Sequence, residues 1–416
     1  MKIPQPFKHI AIYISAEEQI STLVEDIMKG NNFSFANGLE KKKGALFSAI
    51  AIRQLVKEEV LHGHFELKIN NNNSLTTSSS GEQRRALLQH ILAYNPAYII
   101  VDNIFESLDV DGQQTIISAI NQVSAHTLII QLLYRKNDCL SFIDTVFTIH
   151  KGSVIKEEPR MVFMQSANKQ IHFSSAIPPP LKPPDVLKNT LVKMDNISIQ
   201  FNDRPILKNI NWEIKQGEFW HLTGPNGSVK TTLLSMITGD SIKGYGQNLY
   251  LFGKKKGTGE TVWDIKKYIG YFTSSIAGEF PRMDSVEQML LSGFVDSIGL
   301  YTLPSGQQIK LAGQWLLLLG LYEIKKQPFR LLPLAQQRMV LIARAMVKHP
   351  PLLIMDEPTA GLDDENALLF TSLINKISAE TRTAIIYVSH RQEAGLLPGK
   401  TFELVPKKIG SIGVIR

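Results

Sequence analysis

The chain has a single cysteine, Cys139, among 416 residues, which excludes an internal disulfide framework and a cysteine-rich zinc module and fits a reducing compartment. Long hydrophobic runs are missing as well. Stretches such as Trp315 to Leu319 fall far short of the roughly 20 residues that cross a bilayer, so no membrane span is expected. Glu17 and Glu18 follow a short apolar run near the N-terminus, so a secretory leader is not expected either. Charge is nearly balanced, with 45 Lys and Arg against 38 Asp and Glu. The clusters Lys41 to Lys43 and Lys254 to Lys256 lack interleaved aromatics, which marks them as solvated loops and leaves nucleic acid out of the expected partners. What the chain does have is 44% hydrophobic residues, enough to bury the cores of two or three domains.

Chemistry concentrates first at Gly224, Pro225, Asn226, Gly227, Ser228, Val229, Lys230, Thr231 and Thr232. This stretch has the spacing of a phosphate-binding loop at every position but one. An apolar run, Phe219 to Leu222, precedes it, and Leu233, Leu234 and Met236 follow at helical spacing. A strand, a turn and a helix are therefore predicted, a context that points backbone N–H groups and a helix N-terminus at an anion. Lys230 is placed to reach the β- and γ-phosphates of a nucleotide and Thr231 to ligate Mg²⁺. The departure is Val229, where the pattern has Gly and where a branched side chain has little room. It is expected to lengthen hydrogen bonds to phosphate and weaken binding.

Landmarks recur along the chain. Ser79 to Asp102 and Pro333 to Asp356 are both 23 residues apart, and Asp102 to Asp109 and Asp356 to Asp363 are both 7. Asp102 to Tyr134 spans 32 residues and Asp356 to His390 spans 34. An internal repeat follows, with the apolar runs Tyr98 to Val101 and Leu352 to Met355 as buried parallel strands ending in a carboxylate. Pro178, Pro179, Pro180, Pro183 and Pro184 form a stiff linker between the halves. Next to a phosphate loop, Asp356 is placed to hold Mg²⁺ through water and Glu357 to polarise the attacking water, with His390 sensing the γ-phosphate. Phe201 is a candidate for stacking on adenine and equally a candidate for core packing.

Together these motifs resemble the ATP-binding cassette family: the loop at Gly224 to Thr231, a signature at Ser79 to Gln83, the acidic strand end at Asp356 and Glu357, Gly361-Leu362-Asp363, and His390. The resemblance covers nearly the whole chain as two fused nucleotide-binding domains. More narrowly, Phe252 to Gly257, Trp263 to Lys267 and Gly293 to Gly299 are similar to the cassette ATPases known as molybdate-transport or photorepair ATP-binding proteins.

The resemblance implies an α/β fold of the P-loop NTPase, ABC nucleotide-binding type. Two tandem copies are expected: a truncated, degenerate domain at 1–175, a Pro-rich linker at 176–189 and an ATP-binding domain at 190–416. It further implies ATP and Mg²⁺ as ligands, a cytoplasmic protein that is soluble or peripheral at the inner membrane face, and a separate membrane permease as one candidate partner. Ser274 stands nearest the Gln that the family uses for coupling to such a partner. Cassette domains pair head to tail, so the resemblance joins Lys230, Thr231, Asp356, Glu357 and His390 to Ser79, Ser80 and Gly81 in one composite site. The other composite site is ruined, with Asn103 in place of the catalytic Glu, Tyr134 in place of the His, and Leu332 to Gln336 in place of an intact signature. In the first half the loop Asn37 to Lys43 stands as the decayed phosphate loop, with Lys43 as relic and Gly44 replacing the Mg²⁺-binding hydroxyl. Measured from there, Lys43 to Ser79 is 36 residues against 103 for Lys230 to Pro333. Hydrolysis at one site is the leading expectation, and a nucleotide-binding protein without catalysis, because of Val229 and the decayed first half, is the alternative.

Overall fold

The computed structural model describes residues 7–15, 18–62, 75–78, 80–105, 110–165, 171, 173–182, 188–201, 204–225, 229–273, 280 and 283–416. It divides into two compact units, one of Met1–Lys169 with Gly361–Asp364, the other of Gln170–Ala360 with Glu365–Arg416.

The first unit contains β1 (Ile10–Ile14), α1 (Ile20–Lys29), β2 (Gly44–Phe47), α2 (Ala49–His62), α3 (Ser80–Ala93), β3 (Tyr98–Asp102), α4 (Val110–Val123), β4 (Leu128–Leu133), β5 (Thr145–His150), β6 (Ser153–Pro159) and α5 (Arg160–Gln165). Its strands lie in the order β2-β3-β4-β1-β5-β6, with only the β5 and β6 pair antiparallel. Successive residues of β3 and β4 go to opposite faces, as the strand period of two requires. Ile99, Val101 and Ile129 join Leu87, Leu88 and Ile91 of α3 with Ile116 and Ile120 of α4. Ile100, Ile130 and Leu132 join Leu23, Val24 and Ile27 of α1 on the other side. A sheet covered on both faces needs apolar residues at every position, which is why these strands read as unbroken hydrophobic runs.

The second unit contains β7 (Thr190–Phe201), β8 (Arg204–Lys215), β9 (Phe219–Thr223), α6 (Lys230–Ile237), β10 (Leu249–Leu251), β11 (Lys254–Lys255), α7 (Val262–Lys266), β12 (Ile269–Thr273), α8 (Val286–Ser292), α9 (Gly306–Leu318), α10 (Leu334–Met346), β13 (Leu352–Asp356), α11 (Asp364–Glu380), β14 (Ala384–Val388), β15 (Lys400–Val405) and β16 (Ile412–Ile415). An antiparallel sheet β11-β10-β7-β8 accompanies a sheet ordered β12-β13-β14-β9-β15-β16. Reciprocal caps start α7 at Thr261 and Asp264, α8 at Ser285 and Gln288, and α9 at Ser305 and Gln308, each satisfying backbone N–H groups that a helix start leaves unpaired.

The six-stranded sheets have the same topology, position by position, so β1 corresponds to β9 and β2 to β12. This corrects the sequence-based placement of the decayed loop. The counterpart of the phosphate loop therefore falls between β1 and α1, and α1 is the counterpart of α6. Lys43 instead precedes β2, where its ammonium donates to the Tyr94 carbonyl at 3.3 Å and lies 4.7 Å from the centre of the Tyr94 ring. Gly44 has a packing role rather than a lost metal hydroxyl, because a Cβ there would overlap the Tyr98 ring. The shortening of the first unit is correspondingly distributed. From Phe47 to Ser80 is 80 − 47 = 33 residues against 334 − 273 = 61 from Thr273 to Leu334, and from Lys29 to Gly44 is 44 − 29 = 15 against 269 − 237 = 32 from Ile237 to Ile269.

Candidate nucleotide-binding site

Three strand ends of the second unit converge at one edge of its sheet. β9 leads to the loop before Lys230, β13 ends at Asp356, and β14, which pairs with both, ends at Val388. Asn226, Gly227 and Ser228 lie outside the described residues, as do Ser274 and Ser79. Ser80 opens α3 and Gly81 follows it in the first unit.

Lys230 is the first residue of α6, with Thr231 and Thr232 in the same first turn. Its ammonium donates to the carbonyls of Gly224 at 2.6 Å and Pro225 at 3.2 Å, and stands 3.5 Å from Nδ1 of His390. Carbonyl oxygens thus hold the charge over the loop, as a phosphate would. Val229 immediately before it has φ +73°, the left-handed region that glycine enters freely and a β-branched residue does not. The half-buried valine side chain packs against the core formed with Leu233 and Leu234. The backbone has therefore kept the glycine-type conformation, and the substitution is stored as local strain.

Glu357 is held from several sides. Its N–H donates to the Val388 carbonyl at 3.0 Å. One oxygen, Oε1, accepts from the His390 N–H at 3.2 Å and lies 3.4 Å from His390 Nε2. The structure thus brings together Lys230, His390 and Glu357, which lie far apart in the chain. Glu357 also has φ +47°, a bend that costs on the order of 1–3 kcal/mol for a non-glycine residue and persists where surrounding structure enforces it.

Burial pushes the Glu357 carboxyl up to about 7, with the Asp356 charge adding to the rise and the Lys230 ammonium and His390 N–H opposing it. Burial also raises Asp356 above the usual carboxylate range, again opposed by Lys230. Two adjoining half-buried carboxylates thus face one ammonium, that of Lys230. A carboxyl with a raised folded pKa contributes stability that is fully present below its unfolded pKa, near 4.5, and that is lost as pH rises through about 7. Glu357→Gln removes this loss. In EDTA and without nucleotide, the variant is expected to gain on the parent by about 1–2 kcal/mol between pH 5 and pH 8, after discounting for solvent screening. Thermal unfolding of both proteins at the two pH values measures it, and a difference that stays constant would refute it.

Phe201 ends β7 and is 58% exposed, with the Lys243 ammonium 4.5 Å from its ring centre. The ring therefore lies outside the core, with the Lys243 ammonium over it.

In the first unit the corresponding groups are spent on one another. The Tyr134 hydroxyl donates to Asp102 Oδ1 at 3.1 Å, and Asn103 takes the position of Glu357 with φ +48°. Two buried arginines, unnoticed at the level of motifs, serve both units alike. Arg84 Nη1 donates to the Asn103 carbonyl at 2.7 Å and Arg338 Nη1 to the Pro358 carbonyl. They tie α3 and α10 to the bend that carries the acidic strand end. The signal was available, since 338 − 84 and 356 − 102 are both 254.

A parallel sheet with a lysine-bearing loop after one strand, adjoining carboxylates after the next and a histidine after the strand between them defines a P-loop NTPase of the ABC nucleotide-binding type. The family described as ABC transporter matches residues 207–360. Over 394 residues the chain is 35% identical to the ABC transporter ATP-binding protein ModF of Escherichia coli (strain K12), covering 90% of this chain and 80% of that protein. The chain therefore belongs to the ABC family of ATP-binding proteins, and its two units share one strand order. The Zinc import ATP-binding protein ZnuC of Photorhabdus laumondii subsp. laumondii is 30% identical over 218 residues, 52% of this chain and 74% of that protein. At the level of fold, a solved structure named RNase-L Inhibitor matches 98% of this chain and 85% of its own length with a TM-score of 0.63 at 15% identity. No helix among the described residues is long and apolar enough to cross a membrane.

Proposed function

We propose that this chain binds Mg-ATP in its second unit and hydrolyses it there, using the energy to switch its own conformation or that of a partner. The observation that carries this reading is the joint placement of Lys230, Glu357 and His390, with 3.5 Å from Lys230 Nζ to His390 Nδ1 and 3.4 Å from His390 Nε2 to Glu357 Oε1. In this reading the Lys230 ammonium leaves the Gly224 and Pro225 carbonyls for the β- and γ-phosphates. Amides at the start of α6 receive phosphate oxygens, and Phe201 stacks on adenine. The Glu357 carboxylate takes a proton from the attacking water while His390 holds the γ-phosphate side in register. Thr231 and Asp356 would hold Mg²⁺, which neutralises charge on the transferred phosphoryl group.

Two further parts of the proposal rest on family resemblance. Ser79, Ser80 and Gly81 would supply the signature that faces the γ-phosphate of the nucleotide held by Lys230, giving one working composite site. The partner would be a protein of the cytoplasm or a membrane permease docked from that side. Retention of Lys230, Asp356, Glu357 and His390 supports catalysis over binding alone. Isothermal calorimetry is expected to give close to one Mg-ATP per chain, because Asp102 and Asn103 adjoin no lysine-bearing loop. Two equivalent tight sites would sink the single-site reading.

A further inference from the structure

The ATPase reading uses Glu357 and His390 but not the buried polar groups beneath them. Thr359, Tyr387 and Glu393 are 2%, 0% and 9% exposed. The Thr359 hydroxyl donates to Glu393 Oε1 and lies 3.2 Å from the Tyr387 hydroxyl. A carboxylate buried among apolar core needs donors to meet it, and the Thr359 hydroxyl is one of them. The cluster's position gives it a use. Thr359 is two residues beyond Glu357, and Glu393 is three beyond His390. Past Glu393 the chain is clamped to α11, where Thr371 donates to the Ala394 carbonyl at 3.2 Å and Asn375 to the Gly395 carbonyl at 2.6 Å. On the other side, Arg338 grips the Pro358 carbonyl.

We infer that Thr359 and Glu393 are positioning residues: their hydrogen bond locks the turn after Glu357 to the turn after His390 and so fixes the Glu357 carboxylate against the His390 imidazole and N–H. The φ +47° at Glu357 makes such a lock necessary, since a bend this strained relaxes unless neighbouring groups enforce it. Neither residue is among the groups proposed to hold nucleotide or metal, so the lock is expected to act on the chemical step and not on affinity. This inference deepens the ATPase reading and rests on it.

Three variants test it. Thr359→Val keeps the shape and removes the donor, Thr359→Ser restores a hydroxyl, and Glu393→Gln keeps an oxygen acceptor without the charge. Thr359→Val is expected to lower kcat for ATP hydrolysis about three- to tenfold, the scale of one lost hydrogen bond. The Kd of Mg-ATP should stay within about twofold, and Thr359→Ser should recover most of the rate. A second readout needs no turnover. The amides of Glu357 and His390, bonded to the Val388 carbonyl and to Glu357 Oε1, should exchange with solvent several-fold faster in Thr359→Val, while Thr359→Ser and Glu393→Gln keep the parent rate. Unchanged exchange in Thr359→Val overturns the lock, as does a loss that serine fails to rescue. A parent that binds but does not hydrolyse ATP would remove the ATPase reading and leave the exchange result to decide the lock alone.

Discussion

Glu357→Gln is expected to lower phosphate release by about 10²- to 10⁴-fold, the range contributed by a positioned general base, while Mg-ATP binds as tightly as in the parent or more so. The amide is nearly isosteric, so contact with the His390 N–H, 3.2 Å from Oε1 in the parent, can be kept. What disappears is the proton acceptor. The charge that disappears with it is one that burial and Asp356 already disfavour and that would face a polyanionic nucleotide, hence the direction of the effect on binding. Single-turnover phosphate release together with calorimetric titration separates the two quantities. Phosphate release at the parent rate would show that another group activates the water.

The second large effect is expected at Val229→Gly, a several-fold gain in ATP affinity together with a higher hydrolysis rate. The left-handed backbone at this position costs an L-residue roughly 1–2 kcal/mol. Glycine removes that cost from the folded loop with or without nucleotide, so the gain in affinity comes from the room it opens beside the phosphate, where one restored charge-assisted hydrogen bond corresponds to roughly ten- to a hundredfold in Kd. Against this, the glycine gives up the valine's half-buried contact with the core and enlarges the freedom of the unfolded chain. Global stability should therefore move little while affinity moves clearly. Should the glycine protein bind ATP no better than the parent, the valine is a tolerated substitution, and its strain is already borne by the folded loop without nucleotide.

The candidate site at the edge of the second unit's sheet was legible because its residue types and its strand pattern agree. The unbroken apolar run Leu352 to Met355 announces a strand buried on both faces, and the carboxylates follow directly at its end. Where chemistry has decayed, motifs mislead. A search keyed to lysine and glycine settles on Lys43 and Gly44, yet the true counterpart of the loop, after β1, has neither a lysine nor a glycine to mark it. Only strand order identifies it. The Thr359 and Glu393 pair was illegible for a different reason: 34 residues separate the two, and no periodicity or spacing predicts that a threonine and a glutamate that far apart share a buried hydrogen bond.

Residues 357 and 103 make the same left-handed bend, at φ +47° and φ +48°, but only one carries a carboxylate. Asparagine enters this conformation more readily than glutamate, so the first unit has the side chain the backbone prefers and the second has the one a base demands. Heat resistance and the proposed catalysis consequently pull position 357 in opposite directions. A laboratory selection for thermal survival alone would favour asparagine there, and a population enriched that way would look healthier in every unfolding assay while losing the proposed activity.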